Sequence, residues 1–133
     1  LSLEAFLPIL RQDATFISLE YKDPRREIME LERNHGIKVH HWARAAEAVD
    51  YDETAALVAE LDLVVSVQTA VVHLAGALGK DCHVLVPSKP HWRYGMSGDQ
   101  MPWYKTVKLH RQKGEWAGVI NKVAQELCKP SGV

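Results

Sequence analysis

The sequence is poor in cysteine, in charge of one sign and in long apolar runs, and each absence excludes a class of protein. Its 133 residues include two cysteines, Cys82 and Cys128, which are too few for a disulfide scaffold. With 16 basic and 17 acidic side chains, the chain has no cationic surplus to neutralise nucleic-acid phosphates. No run approaches the ~20 apolar residues of a membrane span. We therefore expect a reduced, cytoplasmic compartment, with no nucleic acid as a partner and no membrane span.

Several catalytic signatures are absent as well. The sequence has no Gly-rich dinucleotide fingerprint and no Gly-x-Ser-x-Gly nucleophile motif. Its seven histidines include no pair with His-x-x-x-His spacing, and the cysteines form no Cys-x-x-Cys. We expect no metal site, because a zinc site needs ligands that converge. The first residues do not resemble a secretory signal, and the missing initiator Met predicts a fragment or a processed chain.

What the sequence does contain is an alternation of strand-like and helix-like segments. Short β-rich runs alternate with helical stretches of about ten residues, which is typical of parallel βαβ units. The run Leu63-Val64-Val65-Ser66-Val67 is almost continuously apolar, as expected for a strand buried on both faces. Right-handed crossovers then place helices on both sides of the sheet. The prediction is a single α/β domain over residues 1–133, with a three-layer, Rossmann-like parallel sheet of about five strands.

The junction at residues 67–73 is the first candidate site. In an open α/β sheet, ligands bind outside the carboxyl ends of the strands. The N–H groups of Ala70, Val71 and Val72 would lie free at a helix start, where the helix dipole is positive. Together with the Thr69 hydroxyl they predict a phosphate site. The alternative, which helix-start statistics favour, is that Thr69 is merely an N-cap.

The second candidate is the long aperiodic segment from Pro87 to Tyr104. Loops of this length are uncommon in compact domains and are usually functional or mobile. The aromatic rings of this segment, at Trp92, Tyr94, Trp103 and Tyr104, can stack on a base or sugar, and Arg93 can pair with phosphate. The alternative, equally weighted, is that these aromatic side chains close the end of the sheet. His73 is also open to two interpretations, as a packed core histidine or as a neighbour of the phosphate site.

A resemblance gives these segments a more specific meaning. The run from Tyr51 to Val67 leads into Gln-Thr-Ala-Val-Val-His-Leu-Ala-Gly-Ala-Leu-Gly-Lys at residues 68–80. Pro-His-Trp-Arg follows at 90–93, Pro-Trp-Tyr at 102–104 and Leu-His-Arg-Gln at 109–112. Together these segments resemble the donor-binding half of heptosyltransferase-like glycosyltransferases (glycosyltransferase family 9). The version found at the end of bacterial tetratricopeptide-repeat proteins is especially similar. The likeness covers nearly the whole chain and is weaker before Tyr51.

The resemblance implies the C-terminal, Rossmann-like half of a two-domain GT-B enzyme that holds a nucleotide-diphosphate sugar as substrate and needs no cofactor. The resemblance implies that the donor diphosphate contacts the residues at the start of the helix after Thr69. The wider donor sugar and nucleotide site takes in residues from the flanking segments. The diphosphate residues are Thr69, Ala70, Val71 and Val72, and the wider set is Gln68, His73, Lys22, Trp92 and Arg93. No catalytic residue is assigned, since the presumed catalytic base of such enzymes belongs to the missing acceptor domain.

Three departures from the family pattern leave a second hypothesis open. Gln68 stands where the family usually has an acidic residue, and Lys22 follows a strand that lacks the usual Gln-Lys-Gly-like ending. The chain also begins after the strand that normally opens this domain, which would leave backbone groups to be paired. We therefore expect a homodimer or a rearranged sheet. The chain is either a nucleotide-sugar-binding half that is inactive alone, or a non-catalytic relative that serves as a binding or oligomerisation module.

Overall fold

The structure, a computed structural model, describes residues 1–20, 22–46, 51–90, 92–95 and 97–128. Strands and helices alternate along the chain, which confirms the α/β class. By its internal contacts the chain divides into two compact units, Leu1–Thr54 with Ile120–Val133, and Ala55–Val119. The assignment of residues 1–133 to one domain stays a prediction. Among the described residues, no helix has both the length and the apolar character needed to cross a membrane.

The first unit is built around a two-stranded parallel sheet. The connection between parallel strands must cross over, and here a helix of three turns provides it. Its elements are a 3-10 turn (Leu3–Phe6), α1 (Leu7–Leu10), β1 (Phe16–Ser18), α2 (Arg25–His35), β2 (Val39–His41) and α3 (Ala43–Ala46). Gly36 ends α2 at a φ of 66°, a left-handed conformation that favours glycine.

The apolar core of this unit is small. Leu10, Leu31 and Val39 are buried together, one from each of α1, α2 and β2. Half-buried side chains pack around them, among them Phe6 and Phe16. This packing fixes α2 against its strands through the helix's single apolar stripe.

The second unit contains a four-stranded sheet in the order β3-β4-β6-β5. The first three strands are parallel, and the short β5 pairs antiparallel with β6. The helices α4 and α6 cross the boundaries between the two units, and the larger part of α6 belongs to the first unit. The elements within or entering the second unit are α4 (Tyr51–Glu60), β3 (Val64–Val67), α5 (Ala70–Ala77), β4 (Cys82–Val86), β5 (Gln100–Met101), β6 (Tyr104–Arg111) and α6 (Trp116–Leu127).

Strand β4 forms the centre of this sheet. Val84, Leu85 and Val86 have no exposed surface, because β4 has a neighbour on each side and apolar side chains on both faces. Helix α5 packs on β3, β4 and β6. The turn that joins the carboxyl end of β3 to the start of α5 is therefore supported by a well-packed sheet.

The strand pairing differs from the single parallel sheet of about five strands that the sequence suggested. Among the described residues, β1 pairs with β2 alone, and β3 pairs with β4 alone. The segment expected to be an aperiodic loop also contains β5, whose two residues form a hairpin with β6. Two residues are too few to produce a periodic pattern, so this antiparallel edge had no signal in the sequence.

Candidate functional site

The junction between β3 and α5 has the geometry expected of a ligand-binding turn. Strand β3 ends at Val67, and α5 begins at Ala70 with Thr69 as its N-cap residue. Only Gln68 and Thr69 separate the two elements. The helix start therefore lies at the carboxyl end of a parallel strand, where ligands of α/β sheets bind.

The Thr69 side chain does not cap the helix. Its backbone is extended and its hydroxyl makes no capping hydrogen bond to α5. Instead, Thr69 Oγ1 lies 3.0 Å from Ser66 Oγ, and the Ser66 hydroxyl donates to the Val67 carbonyl at 2.9 Å. The Thr69 hydroxyl thus shares a hydrogen bond with Ser66, in which either oxygen can be the donor. The interpretation of Thr69 as a simple N-cap therefore loses its physical basis.

The backbone at this helix start presents two N–H groups outward. The first N–H groups of an α-helix have no acceptor within the helix. The Val72 N–H donates to the Thr69 carbonyl at 3.1 Å, so it is not free as the sequence analysis expected. Ala70 and Val71 hold the outward N–H groups, and the Ala70 side chain is exposed whereas Val72 is buried.

The other predicted site residues divide by unit. Gln68 and His73 belong to the second unit and are half-buried, with His73 three residues after Ala70 on α5. Trp92 belongs to the same unit, in a 3-10 turn at Trp92–Tyr94. The side chain of Arg93 lies outside the described residues. Lys22 is exposed in the first unit, between β1 and α2.

An aromatic pocket lies beside α5. It has a volume of about 200 Å³ and is lined by His73, Trp92, Trp103 and Tyr104. The ring centroids of His73 and Tyr104 are 5.9 Å apart, at an interplanar angle of 64°. The two indoles are 73% and 63% exposed, so they form walls open to solvent. We refer to these four residues as the aromatic pocket.

Arg111 holds the loop that carries one side of this pocket. From the end of β6, its guanidinium donates to the carbonyls of Tyr94, Gly95, Ser97 and Gly98. Tyr94 is buried, and its ring centroid lies 6.3 Å from that of His73. A guanidinium has five donors in a rigid fork, so one side chain fixes most of the turn that follows Trp92.

Two features of the second unit were missed by the sequence analysis. His83 Nδ1 and His110 Nε2 lie 2.8 Å apart across neighbouring strands, a contact that appears only once the strand register is known. Gly76 in α5 packs directly against the Tyr104 ring, and a Cβ atom at position 76 would overlap that ring. The aromatic pocket thus depends on a glycine that looked unremarkable in the sequence.

Comparison with known proteins gives one relative. Over 114 residues, which are 84% of this chain, the sequence is 31% identical to "Protein FlbA" of Caulobacter vibrioides. The matched segment spans 19% of that protein's length. No protein-family profile matches the chain, and no solved structure matches it.

Proposed function

We propose that this chain is the nucleotide-diphosphate-sugar-binding half of a GT-B glycosyltransferase, built on a Rossmann-like domain and not catalytic by itself. The resemblance of residues 51–112 to glycosyltransferase family 9 motivates the proposal. The observation that carries it is the helix start at Thr69, Ala70 and Val71. The hydroxyl of Thr69 leaves the helix uncapped, and two amides face outward at the positive end of the α5 dipole.

The charge balance supports this mode of binding. The chain has a formal net charge of −1, so its overall charge does not attract a diphosphate, which must be held by local dipoles and single cationic side chains. Backbone amides at a helix start provide such dipoles at fixed positions. The Thr69 hydroxyl, already oriented by Ser66, has lone pairs and a rotatable proton and can turn to donate to a phosphate oxygen.

Substitutions at Ala70 test the proposal directly. Ala70 is exposed, so Ala70→Glu places a negative charge at the helix start without disturbing the core. An acidic side chain there favours the helix dipole while repelling a diphosphate. We expect UDP-, ADP- or GDP-linked sugars to raise the melting temperature of the unmodified chain, because a ligand at 100 times its Kd stabilises by about 2.7 kcal/mol. Ala70→Glu should abolish that shift.

Two controls make the result specific. Ala70→Lys should retain or strengthen binding, and Ala77→Glu, at the exposed far end of the same helix, should leave it unchanged. Thr69→Val should weaken binding, whereas Thr15→Val, at an exposed residue of the first unit, should not. Absence of a shift with every nucleotide sugar would contradict the proposal and favour a non-catalytic binding or oligomerisation module. The observation that favours such a module is Gln68, which has an amide side chain where the family usually has an acidic one.

A further inference from the structure

We propose that the aromatic pocket of His73, Trp92, Trp103 and Tyr104 is a saccharide-binding site that accepts a single pyranose ring. Two large indoles standing 73% and 63% exposed on one small unit need an explanation, because exposed aromatic surface of this kind marks interaction sites. They line the same open pocket. The proposal deepens and rests on the proposed function, because His73 and Trp92 also belong to the expected donor-sugar site, but it does not require phosphate binding at the start of α5.

The pocket is small and open. Its volume is about 200 Å³, whereas sites for drug-sized ligands usually begin near 300 Å³. Two of its four walls are the exposed indoles, so a single ring can lie in the pocket while the rest of a larger ligand extends into solvent.

The angle between two of the rings favours a saccharide over a flat base. His73 and Tyr104 meet at 64°, so these two walls of the pocket do not form a parallel slot. A nucleobase gains most from a parallel stack on a flat face. A pyranose ring is puckered and presents C–H groups on its faces and hydroxyls at its rim, which suits walls that meet at an angle.

The polar edges of the rings fit the hydroxyl groups of such a ligand. Among the described residues, the side chains of His73 and Tyr104 contact other rings, whereas that of Trp103 does not. None of these three side chains makes a hydrogen bond to another side chain or to the backbone. An indole N–H donates, a phenol both donates and accepts, and a neutral imidazole does both through its two nitrogens. The pocket thus combines apolar faces with donors and acceptors at its rim, as a polyhydroxylated ring requires.

The pocket is also built before any ligand arrives. Gly76 allows the Tyr104 ring to lie directly on α5, and Arg111 fixes the loop after Trp92 through four carbonyls. Preorganised walls reduce the entropy that binding would otherwise cost. This matters for a small ligand, because one ring offers few contacts to offset that cost.

Saturation-transfer NMR on the full chain tests the proposal. The probes are the methyl glycosides of glucose, galactose, mannose and N-acetylglucosamine, with adenosine and uridine as flat-ring competitors. We expect transfer to the ring C–H protons of at least one glycoside. Trp103→Ala should weaken its affinity about tenfold, since it removes one exposed wall, and Tyr104→Phe should weaken it less by removing one hydroxyl. Trp42→Ala, at a half-exposed indole of the first unit, is the matched control and should change nothing.

The outcomes separate this site from the diphosphate site. Methyl glycosides carry no phosphate, so Ala70→Glu should leave their binding intact even if it abolishes nucleotide-sugar binding. Absence of transfer to every glycoside overturns the saccharide site, as does glycoside binding that survives Trp103→Ala in a folded protein. Binding of the nucleosides instead, lost in Trp103→Ala, would overturn it in favour of a base-stacking pocket.

Discussion

The two units of the chain present contrasting surfaces. In the first unit, exposed ion pairs such as Arg25–Asp23 and Arg26–Glu30 lie along α2, and its cavity of about 110 Å³ is lined mainly by polar and acidic side chains. In the second unit, a dry central strand supports α5, and the cavity is lined by four rings. Both units use parallel strands, but of these two cavities the one in the second unit has walls suited to an organic ligand.

The contrast shows which features of a surface carry binding. Exposed ion pairs contribute little, about 0–1 kcal/mol each, because water and salt screen them. Sites held by packed helices and strands keep their geometry better than sites on loops. In the second unit, α5 packs on β3, β4 and β6 and carries both the helix start and His73 of the aromatic pocket, so we place the functional proposals there.

The largest expected difference between the two units concerns their cysteines. Cys82 begins β4 and is 1% exposed, and this burial raises the pKa of its thiol from 9.0 to about 12. Three pKa units reduce the reactive thiolate about 1,000-fold relative to an unperturbed thiol. Cys128, in the first unit, is exposed. A thiol-reactive dye at pH 8 should therefore label one cysteine per native chain rapidly and the second only on unfolding.

The control for this measurement is Cys128→Ser, which should remove the rapid phase and leave the slow one. Two rapid phases in the native protein would show that β4 is not buried as described. The difference between the units in core packing would then be smaller than the structure indicates.

The next effect concerns the glycine beneath the aromatic pocket. A Cβ at position 76 would overlap the Tyr104 ring, so Gly76→Ala should destabilise the protein by about 1–3 kcal/mol, the usual cost of overpacking. The matched control is Gly118→Ala in α6, where a Cβ meets no described atom within 4 Å. That change should stabilise by up to about 1 kcal/mol, because alanine favours the helix. Urea unfolding would measure the change in the free energy of unfolding for both variants. A change of the same sign in both would contradict the close contact of α5 with Tyr104.

Local sequence patterns predicted the elements better than their contacts. Pro24 and Gly36 mark the limits of α2, and the apolar run at residues 63–67 contains β3, because capping and burial patterns are local. The Gly76–Tyr104 contact joins residues far apart in the chain, so no local pattern signals it. The same holds for His83 and His110, which meet through strand register alone.

The candidate site was predictable to a similar extent. The turn at Thr69 follows from a buried strand that leads into an apolar helix, which local sequence shows. The partner of the Thr69 hydroxyl does not follow from the sequence. It can bond either to Ser66 or to the helix N–H groups that an N-cap residue usually binds, and only the geometry shows which. Trp92, Trp103 and Tyr104 were predicted as ring-bearing residues of one segment, but their meeting with His73 was not, because it depends on the packing of α5 against β6.

The smallest effect is on the exposed surface of the first unit. Asp23 accepts hydrogen bonds from Arg25 Nε and Nη2, both at 2.7 Å, and from the Arg25 N–H at 3.0 Å. These bonds, the side-chain ones first, lower the pKa of Asp23 from 3.8 to about 2. Because the folded pKa is depressed, the associated stability is present above pH 3.8 and is lost as the pH falls towards 2. The Asp23 side chain is exposed and screened by solvent, so we expect a shifted titration rather than a measurable change in unfolding. Arg25→Gln should return the pKa of Asp23 part of the way to 3.8 in an NMR titration of its carboxyl carbon, since the backbone bond remains.

Arg26→Gln, which removes only the neighbouring pair with Glu30, is the control and should leave the pKa of Asp23 near 2. If Asp23 titrates near 3.8 in the unmodified chain, its bidentate pair does not persist in solution, and the charged surface of the first unit is more weakly ordered than the aromatic surface of the second.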